Sequence, residues 1–173
     1  MAIRTILRYP DPVLLTSCEP VGDDLEGIEE LVRDMADTMF AHNGAGLAAI
    51  QIGVTKRLFI VDPVVAGREE DDPPMVFIDP EIVQLGRETE VSEEGCLSFP
   101  GVYVPIKRPY RARARARDLR GQVFEIEGEG LFARAMQHET EHLDGRLLTD
   151  HVGRIKRQMI KRKMEREAEE ATL

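Results

Sequence analysis

Residues 137–145 read Gln-His-Glu-Thr-Glu-His-Leu-Asp-Gly, and this stretch decides how the rest of the chain is interpreted. It places His138 and His142 four positions apart, with Glu139 directly after the first histidine. On an α-helix, positions i and i+4 lie one above the other on the same face, so two neutral imidazoles there can bind one divalent metal ion. Glu139 is then a candidate proton carrier beside the metal. The pattern therefore predicts a metal site on a helix.

The sequence around this motif predicts the helix itself. Gly130 precedes a helical segment from about Leu131 to Leu143, and Asp144-Gly145 ends it. Burying two imidazoles and a carboxylate without partners is costly, so a metal site explains the pair better than two ordinary core histidines. The residues that form one stripe of this helix, and that should point inward, are Leu131, Ala135, His138 and His142.

Two histidines rarely suffice for a catalytic metal, which usually has three protein ligands. Downstream, the candidates for a third ligand are His151 and the glutamates that begin at Glu165. Upstream, Cys96 lies in a turn-like segment bounded by glycine and proline, and a thiolate is a strong ligand for zinc or ferrous iron. A lone cysteine can equally be an inert buried residue, which is our interpretation of Cys18. The spacing alone leaves these alternatives open.

Length and composition limit the class of protein. A chain of 173 residues suits a single domain, here 1–173, and its net charge of −9 argues against non-specific nucleic-acid binding by the whole surface. Two cysteines do not make a disulfide framework, the N-terminus has no apolar signal region, and no stretch is apolar enough to span a bilayer. We therefore expect a cytoplasmic protein with no membrane contact and no specific DNA binding.

Several further elements follow from periodicity and turn signals. We predict a helix from Asp23 or Asp24 to about Asn43, ended by Gly44, and a buried strand over 57–61. Strands over 75–78 and 81–85 should flank an Asp-Pro turn, and residues 100–127 should form an antiparallel set. Residues 152–173 should form a charged C-terminal helix, basic in its first part and acidic at its end.

An alternation of arginine and alanine stands out in the segment 110–117. A period of two places all the arginines on one face of a strand. They could face RNA, or they could line the solvated face of a half-buried antiparallel strand, which we favour because such strands show this alternation. The residues concerned are Arg111, Arg113, Arg115 and Arg117.

Three blocks of the sequence together resemble the peptide deformylases. They are residues 44–51 (Gly-Ala-Gly-Leu-Ala-Ala-Ile-Gln), residues 94–98 (Glu-Gly-Cys-Leu-Ser) and the opening stretch 137–145. The N-terminal segment 9–14 and the overall length are also similar, so the resemblance covers essentially the whole chain. It implies an α+β fold in which short antiparallel β-sheets pack around a central helix carrying HExxH, with an N-terminal helix and a C-terminal helix.

The resemblance also implies a reaction. Deformylases remove the formyl group from formyl-methionyl nascent peptides and release formate. It implies Cys96, His138 and His142 as metal ligands, with water at the open position attacking the formyl carbon. Glu139 would act as general base and then as general acid.

The remaining implied roles concern the oxyanion and the substrate. The Gln51 side-chain amide and the Leu97 backbone N–H would donate hydrogen bonds to the oxyanion, and Gly46 would let the substrate approach the backbone. An apolar pocket beside the metal helix should take the methionine.

Glu141 replaces the more usual aspartate or glycine, and we expect little effect because it points away from the ligand face. Arg134 could border the pocket or face solvent.

The implied cofactor is one divalent metal ion, Fe²⁺ in the cell, with Zn²⁺, Ni²⁺ or Co²⁺ able to occupy the same ligands. The implied partners are formyl-methionyl nascent peptides, bound in an extended form. The basic first part of the C-terminal helix could also contact the RNA-rich surface of the ribosome, or it could be a solvated face. Two rival functions remain: an endopeptidase with a downstream third ligand, and a non-enzymatic binder with a structural metal.

Overall fold

The computed structural model describes residues 2–172; Met1 and Leu173, which the predicted domain includes, lie outside the described residues. It has an α+β architecture, as predicted. Three short 3₁₀ turns lie at Pro12–Leu15, Ala49–Ile52 and Leu148–His151. The helices and strands are α1 (Ile28–Ala41), β1 (Gly46–Ala48), β2 (Leu58–Val61), β3 (Met75–Leu85), β4 (Thr89–Glu94), β5 (Val104–Pro109), β6 (Arg111–Arg117), β7 (Val123–Glu129), α2 (Leu131–Leu143) and α3 (Arg154–Thr172).

The strands form two antiparallel sheets. One has five strands in the order β1-β2-β3-β6-β7, and the other pairs β4 with β5. Helix α2 packs against the five-stranded sheet and also contacts β5, so it lies between the two sheets. This is the predicted arrangement of short sheets around the motif-bearing helix.

Strand β2 shows how the core is organised on both faces of the larger sheet. Phe59 and Val61 pack on the α2 side, whereas Leu58 and Ile60 pack with α1 on the other side. Successive side chains of a strand point to opposite faces, so a strand buried on both faces needs a continuous apolar run. All four residues of β2 are fully buried.

The arginine-alanine alternation of β6 has the orientation that a half-buried strand requires. Its three alanines are buried toward α2, and its arginines lie on the outer face. On that face Arg115 lies opposite Glu125 and Arg111 opposite Glu129, with ion-pair distances of 3.4 and 3.2 Å. Arg111 and Arg115 agree with the solvated-face interpretation, whereas Arg117 differs, because its side chain is only 17% exposed and donates to Asp79 and to the Gly22 carbonyl.

Two predicted elements differ from the structure. Strand β3 continues through Asp79-Pro80 instead of breaking there, with one register shift across these two residues, between Ile78 and Glu81, and a second between Ile82 and Gln84. Asp79 adopts a φ of 49°, and its carboxylate accepts hydrogen bonds from the backbone of Val21 and Gly22 and from the side chain of Arg117. These distant partners stabilise a conformation that locally reads as a turn.

Helix α1 begins at Ile28, later than the predicted start at Asp23 or Asp24, after Gly27 with a φ of 78°. The predicted set over 100–127 is also divided, because β5 pairs with β4 in the separate small sheet.

Helix α3 spans nearly the predicted segment, but only part of its apolar stripe is buried. Ile160 and Met164 pack into a cluster with Phe99 and Leu148, while Ile155 and Met159 are exposed. The helix therefore rests on the small sheet and its neighbouring loop through two residues. Among residues 2–172, no helix is both long and apolar enough to cross a membrane.

Candidate metal centre

Helix α2 places His138 and His142 next to each other, as the spacing predicted. Their Nε2 atoms are 3.2 Å apart and their ring centroids 4.8 Å apart. The helix has the bounds expected from the glycine on either side, Leu131–Leu143. His142 is buried and His138 half-buried, so both imidazoles face inward.

Cys96 supplies the third donor. It follows the end of β4 by one intervening residue, and its Sγ lies 3.3 Å from His142 Nε2. The ligand atoms of Cys96, His138 and His142 all lie within 4.8 Å of one another, and within the described residues they form the one such cluster of three. Tetrahedral ions with ligand distances of about 2.0–2.3 Å hold their donors roughly 3.4 Å apart. His151, a downstream alternative, instead contacts Glu141 at 2.9 Å.

The electrostatics of the two histidines also fit a metal ion. Burial and the nearby charge on His138 hold the pKa of His142 well below its ordinary value. Burial acts in the same direction on His138, but the Glu139 carboxylate and hydrogen bonds to Cys96 and Glu94 outweigh it and raise the pKa of His138 well above its ordinary value. Histidine binds metals in its neutral form, which the surroundings of His142 favour, whereas at His138 a metal ion would compete with a proton. A thiolate and two imidazoles are the donors that zinc and ferrous iron accept.

Glu139 lies at the base of the cleft. Its side chain is buried, and its Oε1 atom has no hydrogen-bond partner within residues 2–172. Burial raises the pKa of Glu139 to about 7, although the charge on His138 acts to lower it. A carboxylate with a pKa near neutrality suits a group that accepts and returns a proton.

Gly46 explains how Glu139 fits beside the sheet. A Cβ placed on Gly46 would lie 2.9 Å from Glu139 Oε2 and 3.1 Å from the Ile60 carbonyl oxygen. Gly46 is therefore needed to make room for the Glu139 carboxylate, a reason that the sequence did not reveal. A Cβ on Gly44 would lie 2.8 Å from Leu97 Cδ1, so the end of that side chain would have to move.

Gln51 and Leu97 both line the same cleft. The Gln51 side chain is buried; its Oε1 accepts a hydrogen bond from the Ala48 N–H at 3.0 Å, and its Nε2 donates to Ser98 Oγ at 3.1 Å. The same Nε2 lies 3.5 Å from Cys96 Sγ. These contacts fix the amide with its N–H groups toward the metal donors.

Glu94 and Arg108 are site residues whose roles the sequence did not reveal, whereas Arg134, left open between the pocket border and solvent, lines the cleft. Glu94 accepts hydrogen bonds from His138 Nδ1 at 3.1 Å, from Arg108 Nη2 at 2.9 Å and from Arg134 Nη1 at 2.7 Å. Burial would raise the pKa of Glu94, but the hydrogen bonds from His138 and Arg108 outweigh it and lower that pKa strongly. A carboxylate on the second ring nitrogen fixes the orientation of a ligand histidine.

The position of Arg134 is also settled by these contacts. Its guanidinium donates to Glu94 and to the backbone carbonyls of Ile106 and Glu90, and only 9% of the residue is exposed. Arg134 thus joins α2 to the small sheet. The sequence offered one indication of this role, because Arg134 lies four positions before His138 and therefore on the same face of the helix.

Two of the three candidate donors, Cys96 and His138, line a cleft of about 1000 Å³ between the N-terminal segment, the loop after β4 and α2. Its walls combine apolar side chains with a few convergent polar groups, the usual character of a small-molecule or peptide site. The residues that line this cleft include Gly46, Gln51, Cys96, Leu97, Leu131 and Glu139. An HExxH helix with a cysteine as third donor, opening onto such a cleft, defines a metal-dependent hydrolase.

Comparison with known proteins specifies the family. The sequence model of the polypeptide deformylases matches residues 3–158, so the chain belongs to that family. The peptide deformylase of Azotobacter vinelandii is 46% identical over 167 residues, covering 96% of this chain and 97% of its own length. That of Bartonella tribocorum is 43% identical over 172 residues, covering 98% and 96%.

Solved structures agree with the fold. The crystal structure of a peptide deformylase from Legionella pneumophila superposes with a TM-score of 0.90 at 40% identity, covering 99% of this chain and 98% of that one. The deformylase of Ehrlichia chaffeensis in complex with actinonin superposes with a TM-score of 0.89 at 35% identity, covering 96% and 98%. The family removes the N-terminal formyl group from nascent peptides and depends on a metal.

Proposed function

We propose that the chain hydrolyses the formyl group of formyl-methionyl peptides at the Cys96, His138 and His142 site. The observation that carries this proposal is the convergence of these three donors in a deformylase-family chain, with Cys96, His138 and Glu139 lining one cleft. A divalent cation held by the three side chains supplies a Lewis acid that polarises a carbonyl and lowers the pKa of water. This convergence disfavours the endopeptidase with a downstream ligand, because His151 is engaged by Glu141.

Glu139 is the proposed general base and acid. Its unpartnered Oε1 faces no competing donor within the described residues, so it is available to accept a proton from the attacking water. A pKa of about 7 lets the same group return that proton to the departing amine. A non-enzymatic binder would have no use for a buried carboxylate held without a partner, since burying it is costly.

Gln51 and Leu97 are the proposed oxyanion donors. The Gln51 amide is held by Ala48 and Ser98 and lies beside Cys96, and Leu97 is the next residue of the chain. Fixed neutral donors of this kind stabilise developing negative charge without reorganising.

The proposed substrate lies along β1. This strand is at the edge of the five-stranded sheet, and Gly46 at its start lines the cleft. An extended peptide can add to such an edge through its backbone. The methionine side chain would enter the apolar part of the cleft near Leu131, which is 61% exposed there.

We propose ferrous iron as the metal in the cell and the reducing cytoplasm as the compartment. Cys18 and Cys96 are both free thiols, and oxidation of a ligand thiolate would destroy the site. The donor set also accepts zinc, nickel or cobalt. Metal analysis of anaerobically purified protein distinguishes them.

The ribosome is a further proposed partner, through basic residues of α3. Lys156, Lys161, Arg162 and Arg166 are exposed. Deleting the helix would also remove Ile160 and Met164 from the core, so charge reversal of these four residues is the cleaner test. It should weaken co-sedimentation with ribosomes at low salt and leave turnover of a short formyl-Met peptide intact. Unchanged co-sedimentation would reject this partner.

The central experiment is an anaerobic assay of formate release from formyl-Met-Ala-Ser by the iron-loaded protein and by Glu139→Gln. We expect release by the wild type and its near loss in the variant, with metal still bound. An absence of formate from the iron-loaded wild type would overturn the proposed function.

A further inference from the structure

The three proposed metal ligands belong to two separate parts of the fold. Cys96 follows β4 in the small sheet, whereas His138 and His142 lie on α2, and the small sheet shares no strand pairing with the five-stranded sheet within the described residues. The distance between thiol and imidazoles is therefore not set by backbone hydrogen bonds between strands. Contacts between side chains of the small sheet and of α2 therefore help to fix it.

Buried ion pairs make that connection. Arg108 on β5 is 4% exposed and donates to Glu94 at the end of β4 through Nε and Nη2. The same Nη2 donates to Glu141 Oε1 at 2.8 Å. Glu141 lies on α2 three positions after His138, so one guanidinium nitrogen contacts carboxylates of both the small sheet and the helix. A guanidinium held in this way clamps the small sheet to the helix.

Glu141 is itself held in place from its other side. The Nε2 atom of His151 lies 2.9 and 3.1 Å from the two carboxylate oxygens of Glu141. Arg146 lies 3.7 Å away but is largely exposed. The contacts form one continuous chain, from His151 through Glu141, Arg108 and Glu94 to Nδ1 of the ligand His138.

We propose that Glu141 is a positioning residue for the metal site and acts through Arg108 and Glu94. The inference rests on the proposed metal ligands. Without the Glu141 carboxylate, Arg108 keeps Glu94 as an acidic partner but loses its contact with α2. Glu94 is then held to the helix through Arg134 and His138 but no longer through Arg108, so its position can shift. That shift would change the orientation of His138 and its distance from Cys96. Glu141 thus has a role that its direction away from the ligand face concealed.

The test is the cobalt-substituted protein, because Co²⁺ bound to a thiolate gives a charge-transfer band in the near ultraviolet and visible bands that depend on geometry. Removing a residue that supports a metal ligand costs about 10–100-fold in metal affinity. For Glu141→Gln, which is one contact further away, we expect a loss of about tenfold in Co²⁺ affinity by chelator competition. We also expect altered visible bands. Glu125→Gln, in an exposed ion pair with Arg115, is the matched control and should leave both measurements unchanged.

Each result has a defined meaning. Unchanged Co²⁺ affinity and bands in Glu141→Gln would overturn the positioning role and leave the metal site intact. A wild type without the thiolate band, or a band that survives Cys96→Ser, would overturn the metal site itself. If Glu141→Gln fails to fold, His151→Ala decides, because it frees the same carboxylate from its outer contact; we expect a smaller change in the same direction, and no change would reject the role.

Discussion

The two sides of the proposed metal centre are built by different means. On one side, α2 carries His138, Glu139 and His142 in consecutive turns, and their relative positions follow from helix geometry alone. On the other side, Cys96 lies on a loop after a two-stranded sheet, and buried ion pairs hold that sheet to the helix. The helix side is thus fixed by local structure and the loop side by contacts between distant residues. Mutations on the two sides should therefore differ in their effects on activity, metal binding and stability.

The largest expected effect is on the helix side, where formate release should be lost while metal binding is kept. Glu139→Gln keeps the shape of the side chain but removes its capacity to accept a proton, so formate release should fall by about 10²–10⁴-fold. Because Glu139 is not a proposed ligand, metal content by atomic absorption should be unchanged. Cys96→Ser on the loop side should instead lose metal. Metal loss in Glu139→Gln would contradict this division.

The second prediction concerns the ion pair between Arg134 and Glu94, which connects the two sides. Arg134→Met leaves Glu94 buried with one of its charged partners removed, and breaking a buried pair in this way costs about 3–5 kcal/mol of unfolding free energy. Urea unfolding measures it. The matched control, Arg115→Met, removes an arginine whose side chain is 52% exposed in its ion pair, and should change stability by less than about 1 kcal/mol. Equal losses would show that Arg134 does not join the two parts.

The third prediction concerns the proposed oxyanion donor Gln51, whose amide reaches the loop side from the turn after β1. Gln51→Ala removes a proposed oxyanion donor and should lower kcat by about 10²–10³-fold with little change in KM. Ser98→Ala removes one acceptor that orients the Gln51 amide and should have a milder effect in the same direction. Steady-state kinetics on formyl-Met-Ala-Ser measure both. A larger loss for Ser98→Ala than for Gln51→Ala would contradict the proposed order of roles.

The smallest effect distinguishes the two thiols. Burial raises the pKa of Cys18 to about 11, an effect that Arg57 opposes. Only the thiolate is nucleophilic, so at pH 8, well below this pKa, Cys18 should not react with iodoacetamide in the folded protein. Cys96 is half-buried and should react once metal is removed. Mass spectrometry of the labelled, metal-free protein should find one modification, rising to two in urea; labelling of Cys18 without denaturant would contradict its burial.

The sequence predicted what depends on neighbours along the chain. The bounds of α2 follow from Gly130 and Asp144-Gly145, and the burial of Cys18 agrees with its apolar interpretation. The grouping of Cys96 with the histidines came only from the resemblance, since 42 residues separate Cys96 from His138 and spacing left other ligands open.

What the sequence could not predict depends on distant contacts. Asp79 reads locally as a turn, yet it lies within β3 because its carboxylate is bound by residues 38 to 58 positions away. The partners of Glu94 are 14 to 44 positions away, so its role was invisible beside the glycine and cysteine that follow it. The sequence also does not show where a side chain approaches the backbone closely. The contact of the Glu139 carboxylate with the backbone at Gly46 is an example.

Because β4 and β5 form a separate sheet, the enzyme should not unfold uniformly on heating. A two-stranded sheet is marginal without its packing partners, and proteins open in cooperative units of unequal stability. The small sheet should open before β2, whose four residues are fully buried. Amide hydrogens in β4 and β5 should then exchange sooner than those in β2. Such an opening withdraws Cys96 while both histidines are still on an intact helix, so inactivation by metal loss should precede melting of the main sheet.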